Sequence, residues 1–155
     1  MGRRRKSRES ALQILFELEF DNTKLEKTLY EYWENRVASE AVKEYAIWLV
    51  KGIVSHQQEI DRIIQSNSEH WRISRMALVD RNLLRIAVFE LLEEEDIAPA
   101  IIINEAIEIA KKYSSEEAAT FVNGVLDAVR KKLKTKKNFL KEGKNVRKKR
   151  LSKRK

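Results

Sequence analysis

The first helix of the sequence brings basic and aromatic side chains together in a way that suits an unpaired nucleic acid strand. Successive side chains of a helix are rotated by about 100° around its axis. Phe16 and Phe20 therefore lie outside the apolar arc that is centred on Ala11 and Leu15. Both follow the Arg3–Arg5 cluster in the chain. Unpaired bases stack on aromatic rings while guanidinium groups hold phosphates. We therefore expect Phe16 to be a stacking platform, unless this helix is buried on two sides and Phe16 belongs to the core.

A second unusual helix face lies near the end of the apolar pattern, where Thr120, Asn123, Gly124 and Asp127 point away from the apolar stripe. Glycine inside a helix costs about 1 kcal/mol relative to alanine. Its presence predicts that another helix, a partner protein or RNA approaches the backbone here. The Asn123 amide could orient such a ligand, and Asp127 could accept hydrogen bonds from a partner.

Charge is unevenly distributed along the chain. The net charge is +8, yet residues 1–8 hold five basic and no acidic side chains, and residues 134–155 hold twelve basic and one acidic. Residues 9–133 therefore carry a net charge of −8. Basic ends on an acidic body attract a polyanion through Coulomb attraction and counterion release, although a lysine-rich tail can also serve only solubility.

Several classes of function are excluded by what the sequence lacks. There is no cysteine, and His56 and His70 are the only histidines, so thiolate sites are impossible and a zinc site has too few ligands. No glycine-rich phosphate loop, nucleophile elbow or histidine-helix metal motif is present. We predict a non-enzymatic protein with no metal and no cofactor.

No apolar run approaches the ~20 residues of a membrane span, and Glu9, Glu17 and Glu19 follow the basic start too soon for a signal or transit peptide. These features predict a cytoplasmic protein that does not contact membranes.

Apolar residues recur at helical spacing almost throughout, with only four glycines and one proline, which predicts an all-α fold. The first predicted helix covers about residues 7–20 and could begin earlier, and the second begins near residue 23. The remaining predicted helices cover about residues 39–67, 78–93, 100–113 and 115–133. His56 falls on the stripe of the long third helix, so we expect it to be at least half-buried, and Gly52 predicts a close crossing or a bend. Short connections favour two small antiparallel bundles of three helices each. We expect the bundles to form one domain over residues 1–133, followed by a disordered basic tail over residues 134–155.

Four segments resemble the NusB family of bacterial transcription antitermination factors. The resemblance covers about residues 3–133 and is most specific at the first helix and over residues 76–131. Its motifs are Arg3-Arg4-Arg5 through Arg8-Glu9-Ser10-Ala11-Leu12-Gln13 to Leu15-Phe16, Val79-Asp80-Arg81-Asn82-Leu83-Leu84-Arg85-Ile86-Ala87, Ile103-Asn104-Glu105-Ala106-Ile107-Glu108-Ile109-Ala110-Lys111-Lys112-Tyr113, and Phe121-Val122-Asn123-Gly124-Val125-Leu126-Asp127.

The resemblance implies a function. Family members bind boxA RNA of ribosomal RNA leaders together with NusE, a small-subunit ribosomal protein, and help RNA polymerase pass terminators. By resemblance, boxA-type single-stranded RNA is contacted by Arg3, Arg4, Arg5, Arg8, Gln13, Phe16, Phe121 and Asn123. Protein partners within the RNA polymerase antitermination complex are contacted by Asp80, Arg81 and Asp127.

Two departures and two other interpretations stay open, and a third interpretation is rejected. The family often has Tyr where this chain has Phe16, and the long basic tail is not a usual family feature. NusB-like domains also precede some ribosomal RNA cytosine methyltransferases, but this chain has neither catalytic cysteines nor a cofactor domain. The alternatives are a helical RNA-binding module without antitermination activity and a structural module that self-associates; a homodimer fits either.

Overall fold

The computed structural model describes residues 2–21 and 24–133, and over these residues it contains helices and no strand. The predicted all-α fold is confirmed. The predicted tail over 134–155, and Thr23 at the predicted start of the second helix, lie outside the described residues. The helices are α1 (Arg3–Phe20), α2 (Leu25–Glu34), α3 (Glu40–Ser55), α4 (Gln57–Ser66), a 3₁₀ turn (Ile73–Arg75), α5 (Leu78–Glu93), α6 (Pro99–Tyr113) and α7, over residues 116–133.

The predicted long third helix is two helices, because the chain breaks at His56. This residue leaves helical geometry with φ −118° and ψ 20°, and its backbone N–H donates to the carbonyl oxygens of Gly52 and Ile53. The apolar spacing hid the break, since Ile53 and Ile60 on either side are both fully buried. His56 itself is exposed, so the expectation of a buried histidine was wrong.

The helices form two bundles that share one core. Helix α1 packs against α2 and α3, whereas α5 packs against α4 and α6, and both α1 and α3 also contact α5. Buried apolar residues of α7, among them Val122, Leu126 and Val129, belong to the same core. The two-bundle arrangement agrees with the prediction, with α4 as an additional helix.

Ion pairs fix the direction of α1 on α5. Arg8 near the start of α1 pairs with Glu90 near the end of α5, and Glu19 near the end of α1 pairs with Arg81 and Arg85 near the start of α5. The two helices therefore run antiparallel. This places the basic start of α1 beside the C-terminal end of α5.

Gly52 allows α3 to lie close against α5. A Cβ atom at position 52 would lie 2.1 Å from the Phe89 ring, well inside van der Waals contact. The close crossing that the glycine predicted is therefore present, and its partner is an aromatic ring rather than another backbone.

Candidate nucleic-acid interface

The arginines at the start of α1 differ in how far they are already engaged. Arg3 and Arg4 are exposed, although the Arg4 guanidinium also lies 3.6 Å from the centre of the Tyr45 ring. Arg5 is half-buried and donates a hydrogen bond to Glu105 on α6, which raises the pKa of Arg5. This end of α1 therefore presents fixed positive charge, with Arg3 and Arg4 the more accessible to an anion.

Arg8 lies in the interior instead. It is 3% exposed, and its Nε and Nη2 atoms donate to the two carboxylate oxygens of Glu90 at 2.7 and 2.8 Å. Both sides of this pair are buried, so the guanidinium is not displayed at the surface. The structure gives Arg8 the position of a residue that holds α1 in place.

Gln13 lines an open cleft on the outer side of α1. This first-helix cleft has a volume of about 560 Å³, and the Gln13 Oε1 atom accepts a hydrogen bond from the Tyr32 hydroxyl at 2.7 Å. The cleft lies between α1, the α2–α3 connection and the end of α6. Its polar and aromatic walls include Arg3, Lys6, Gln13, Tyr32, Arg36 and Tyr113.

Phe16 is a surface residue. Its side chain is 40% exposed, and that of Phe20 is 72% exposed. The two rings meet edge to face with their centres 5.3 Å apart. Of the two interpretations of Phe16, the exposed aromatic therefore fits the structure better than the core residue.

A second cleft, the Trp71 cleft, lies where the segment after α4 meets α7. It is lined by His70, Trp71, Thr120, Phe121 and Gly124, among others, and has a volume of about 500 Å³. Trp71 is 59% exposed, and its ring centre lies 6.2 Å from that of the half-buried Phe121. This places two aromatic rings at one open surface.

Gly124 shows no helix crossing. Among the described residues, no atom other than those of Gly124, its two chain neighbours and the adjacent backbone of α7 lies within 4 Å of the place where a Cβ would be. The expectation that another helix approaches is therefore not met in this part of the chain, and the exposed backbone of Gly124 forms part of the Trp71 cleft instead. Asn123 is exposed on the same helix.

The α6–α7 connection links the two clefts. Tyr113, at its start, lines the first-helix cleft. Ser115, two residues later, lines a smaller depression of about 320 Å³ together with Trp71 and Phe121. The Ser115 hydroxyl accepts a hydrogen bond from the Ala118 N–H at 3.0 Å and so caps α7. The two clefts therefore come close to each other at this connection, with Tyr113 at the edge of one and Ser115 at the edge of the depression beside Trp71.

The three residues expected to contact a partner occupy different settings. Asp80 is half-buried, lines the small depression beside Trp71, and its Oδ1 atom is buried without a hydrogen bond among the described residues. Arg81 is engaged by Glu19 through two hydrogen bonds, at 2.8 and 2.6 Å. Asp127 is exposed on α7, with its Oδ2 atom 3.1 Å from Nζ of Lys131.

Sequence reasoning missed Trp71, Tyr32, Arg36 and Tyr113. Each stands in a segment whose own pattern indicates only a helix or a turn, and each becomes conspicuous through the cleft that it lines together with residues far away in the chain. The signal that could have been used was weak: Trp71 stands in a polar connection, where a large aromatic side chain has no helix stripe to join.

Two findings concern metal binding and membrane-spanning helices. Within residues 2–21 and 24–133, no group of three or more histidine and acidic side chains is placed to hold a metal ion. No helix in this part of the chain is long and apolar enough to cross a membrane.

The fold and these surfaces define a class of protein, namely a small all-α protein whose exposed clefts combine basic and aromatic side chains. A family model described as the NusB family matches residues 5–131. The chain belongs to the NusB family.

Relatives and solved structures agree with this membership. The transcription antitermination protein NusB of Myxococcus xanthus is 43% identical over 134 residues, covering 83% of this chain and 95% of that protein. The structure of NusB from T. maritima is 39% identical, with a TM-score of 0.77, and covers 84% of this chain and 92% of that one. A chain in the crystal structure of antitermination factors NusB and NusE in complex with dsRNA is 32% identical, with a TM-score of 0.76, and covers 84% of this chain and 98% of that one.

Proposed function

We propose that this protein is a transcription antitermination factor that binds boxA-type RNA together with the ribosomal protein NusE and acts on RNA polymerase during ribosomal RNA transcription. The observation that carries the proposal is the pair of open clefts that approach each other at the α6–α7 connection, since together they offer the cations Arg3 and Lys6 of α1 and the aromatic rings of Trp71 and Phe121. Its relatives are named transcription antitermination proteins, and a similar chain is found with NusE and RNA. The protein is a binding factor and not an enzyme.

The RNA-contacting residues divide by chemistry. Arg3 and Arg4 bind phosphates, because they carry charge at the exposed end of α1, and Arg5 adds its charge beside them although it is half-buried and paired with Glu105. Phe16 and Phe121 supply ring faces for unpaired bases.

Two further residues of the RNA site act differently. Asn123, exposed on α7, hydrogen-bonds a base or the sugar-phosphate backbone. Arg8 acts indirectly: its pairing with Glu90 holds α1 so that the three arginines before it face the RNA.

NusE contacts the acidic side chains near the start of α5 and on α7, which are Asp80 and Asp127. Residues 9–133 carry a net charge of −8, so this body repels RNA and benefits from a joint surface with a second protein. Arg81 supports that surface by fixing α5 to Glu19 of α1. We place the protein in the cytoplasm, where this activity requires it to meet the transcribing polymerase.

A titration of boxA-type RNA with and without NusE tests the proposal. We expect measurable RNA affinity of the protein alone and a higher affinity when NusE is present. A scrambled RNA of the same length and composition is the control, because it retains the phosphates and loses only the sequence. Equal affinity for both RNAs in the presence of NusE would contradict the proposal and favour an unspecific RNA-binding or self-associating helical module.

A further inference from the structure

Arg36, in the connection between α2 and α3, presents a fixed guanidinium plane to the first-helix cleft. The group lies 3.8 Å from the centre of the Tyr32 ring, and its Nη1 atom donates to the Tyr32 carbonyl oxygen at 2.7 Å. One face of the plane is therefore covered by an aromatic ring, while the residue remains exposed. An exposed guanidinium held against a ring by this contact and by a hydrogen bond is a stacking surface for a nucleobase, and its position is set before any ligand arrives.

Gln13 stands on another wall of the same cleft with its amide oriented. Because the Oε1 atom already accepts a hydrogen bond from the Tyr32 hydroxyl at 2.7 Å, the amide nitrogen is directed elsewhere and offers two N–H donors. Every nucleobase carries a carbonyl oxygen or ring nitrogen that can accept such a hydrogen bond. Tyr32 thus fixes both polar groups, Arg36 through its ring and backbone carbonyl and Gln13 through its hydroxyl.

The charge at the rim fits a phosphate. Arg3 and Lys6 of α1 line the cleft opposite the α2–α3 connection, and both are exposed. The acidic side chain of the cleft is Glu9, whose Oε1 atom lies 3.0 Å from Nζ of Lys112. This pairing neutralises the carboxylate and leaves the cleft with an excess of positive charge.

We infer that the first-helix cleft holds one nucleotide of the bound RNA, with its base stacked on the Arg36 guanidinium and hydrogen-bonded by the Gln13 amide, and its phosphate against Arg3 and Lys6. The inference rests on the proposed RNA binding and extends it to α2 and the α2–α3 connection. The cleft favours a nucleotide as its occupant. The base is planar and accepts hydrogen bonds, which matches the Arg36 guanidinium and the Gln13 amide. The phosphate is an anion a few ångströms from the base, which matches Arg3 and Lys6.

The test combines abasic RNAs with cleft variants. Affinity is measured for a boxA-type single-stranded RNA and for a set of RNAs that each lack one base, using the full chain, Arg36→Ala, Arg36→Lys and Gln13→Ala. Arg62→Ala is the matched control, because Arg62 is an exposed arginine in a different depression, at the α3–α4 junction. Thermal unfolding of each variant verifies that it is folded.

For the unaltered protein we expect one abasic position to weaken binding by about 5- to 150-fold, the equivalent of the 1–3 kcal/mol typical of a stacked base. In Arg36→Ala and Gln13→Ala, the loss of affinity at that position should shrink while the effects at other positions persist, because the base and the side chain are coupled. Arg36→Lys keeps the charge without the plane, so it should behave like Arg36→Ala. Arg62→Ala should leave the whole pattern unchanged.

Three results would overturn the inference. If the cleft variants weaken all RNAs by one common factor, Arg36 contributes charge only and no base is held there. If they leave RNA binding intact but abolish NusE binding, the cleft belongs to the protein partner. If the unaltered protein binds no RNA even with NusE, the proposed function itself fails, and the inference fails with it.

Discussion

Arg8 on α1 and Glu90 on α5 form a two-point ion pair inside the protein, with Arg8 3% and Glu90 0% exposed. Tyr45 donates a third hydrogen bond to the same carboxylate, at 2.8 Å. Burial alone would lower the pKa of Arg8, but the hydrogen bond and charge of Glu90 outweigh it and the pKa is raised. Burial and the negative charge of Glu90 raise the pKa of Tyr45, so its hydroxyl stays a neutral donor. The start of α1, with its three arginines, is held by this cluster.

Removing one member of the pair should strongly destabilise the fold. Glu90→Ala removes both hydrogen bonds to Arg8 and leaves this buried guanidinium with only the longer contact to Glu105, 3.9 Å away, and losing the partner of a buried charge costs about 3–5 kcal/mol. Replacing both, as Arg8→Met with Glu90→Leu, should cost much less, because no buried charge remains. Denaturant unfolding of these variants and of the single Arg8→Met variant measures the difference. Equal destabilisation in the single and double variants would show that the pair does not dominate the energetics of this cluster.

Truncation of Phe16 should affect RNA binding more than stability. The ring is 40% exposed, so Phe16→Ala should cost well under the ~3–5 kcal/mol of a core phenylalanine, while RNA affinity falls by about 1–3 kcal/mol. Phe16→Tyr should be tolerated, because the ring remains and the hydroxyl can reach water. Leu15→Ala, at a 4% exposed neighbour, is the control that should mainly destabilise. The measurements are thermal unfolding and RNA titration, and a large stability loss in Phe16→Ala with a proportionate loss of binding would refute the stacking role.

The basic segment over residues 134–155 should influence the salt dependence of RNA binding. Deleting it should flatten the plot of log affinity against log salt by about 0.7 for each phosphate that the segment neutralises. The melting temperature should not change, because this segment has no apolar stripe. A tail of equal length with its lysines and arginines replaced by glutamine separates charge from length. An unchanged slope after deletion would show that the segment does not bind RNA.

Reversal of the charge at Asp127 should weaken binding of NusE. Asp127→Lys places a cation on the exposed face of α7, beside Lys131, and should cost at least about 1 kcal/mol if this residue lies in the protein interface. Asp96→Lys, at an exposed position between α5 and α6, makes the same charge change elsewhere. Calorimetry with purified NusE measures both variants. Equal affinities would remove Asp127 from the partner site.

Acid should destabilise the protein partly through Glu19. Hydrogen bonds from Arg81, together with one from Asn82 and the charge of Arg85, hold the pKa of Glu19 below its ordinary value of 4.5. The folded state therefore binds this proton more weakly than the unfolded chain does. The contribution of Glu19 to stability is fully present above about pH 4.5 and is lost as the pH falls through the lower, folded-state pKa.

Melting temperatures measured from neutral pH into this acidic range check the role of Glu19. Glu19→Gln should be less stable at neutral pH and should lose less stability on acidification than the unaltered chain. Glu95→Gln, at an exposed position, should follow the unaltered chain. An identical acid response in Glu19→Gln would contradict the assignment.

Local patterns predicted the helices well because each apolar stripe faces a common core. They failed at His56, where the stripe continues across a break in the backbone, from Ile53 to Ile60. Periodicity reports which face is buried, and the face here remains the same on both sides of the break. Only the backbone geometry of residue 56 distinguishes one helix from two.

The candidate site was predicted less completely because its residues meet through tertiary contacts. Arg8 stands in a run of arginines, but its partner Glu90 lies 82 positions away, and no local pattern distinguishes a buried arginine from an exposed one. The pairing of Trp71 with Phe121 likewise depends on how a connection folds back. The contact of Arg36 with Tyr32 is local, four residues apart, but the cleft that Arg36 lines is built by other helices. The surface position of Phe16 was easier to predict, since its place on the helical wheel already set it apart from the apolar arc.

The ion pairs along α1 and α5 also select a topology. Helix α1 carries its cation first and its anion last, as Arg8 and Glu19, and α5 has the same order, as Arg81 and Arg85 followed by Glu90. Turning α1 end over end would set arginine against arginines and glutamate against glutamate in the interior. A bundle assembled with α1 inverted is therefore rejected electrostatically even where its apolar surfaces still match, so the charge order narrows the folding landscape to a single orientation of α1.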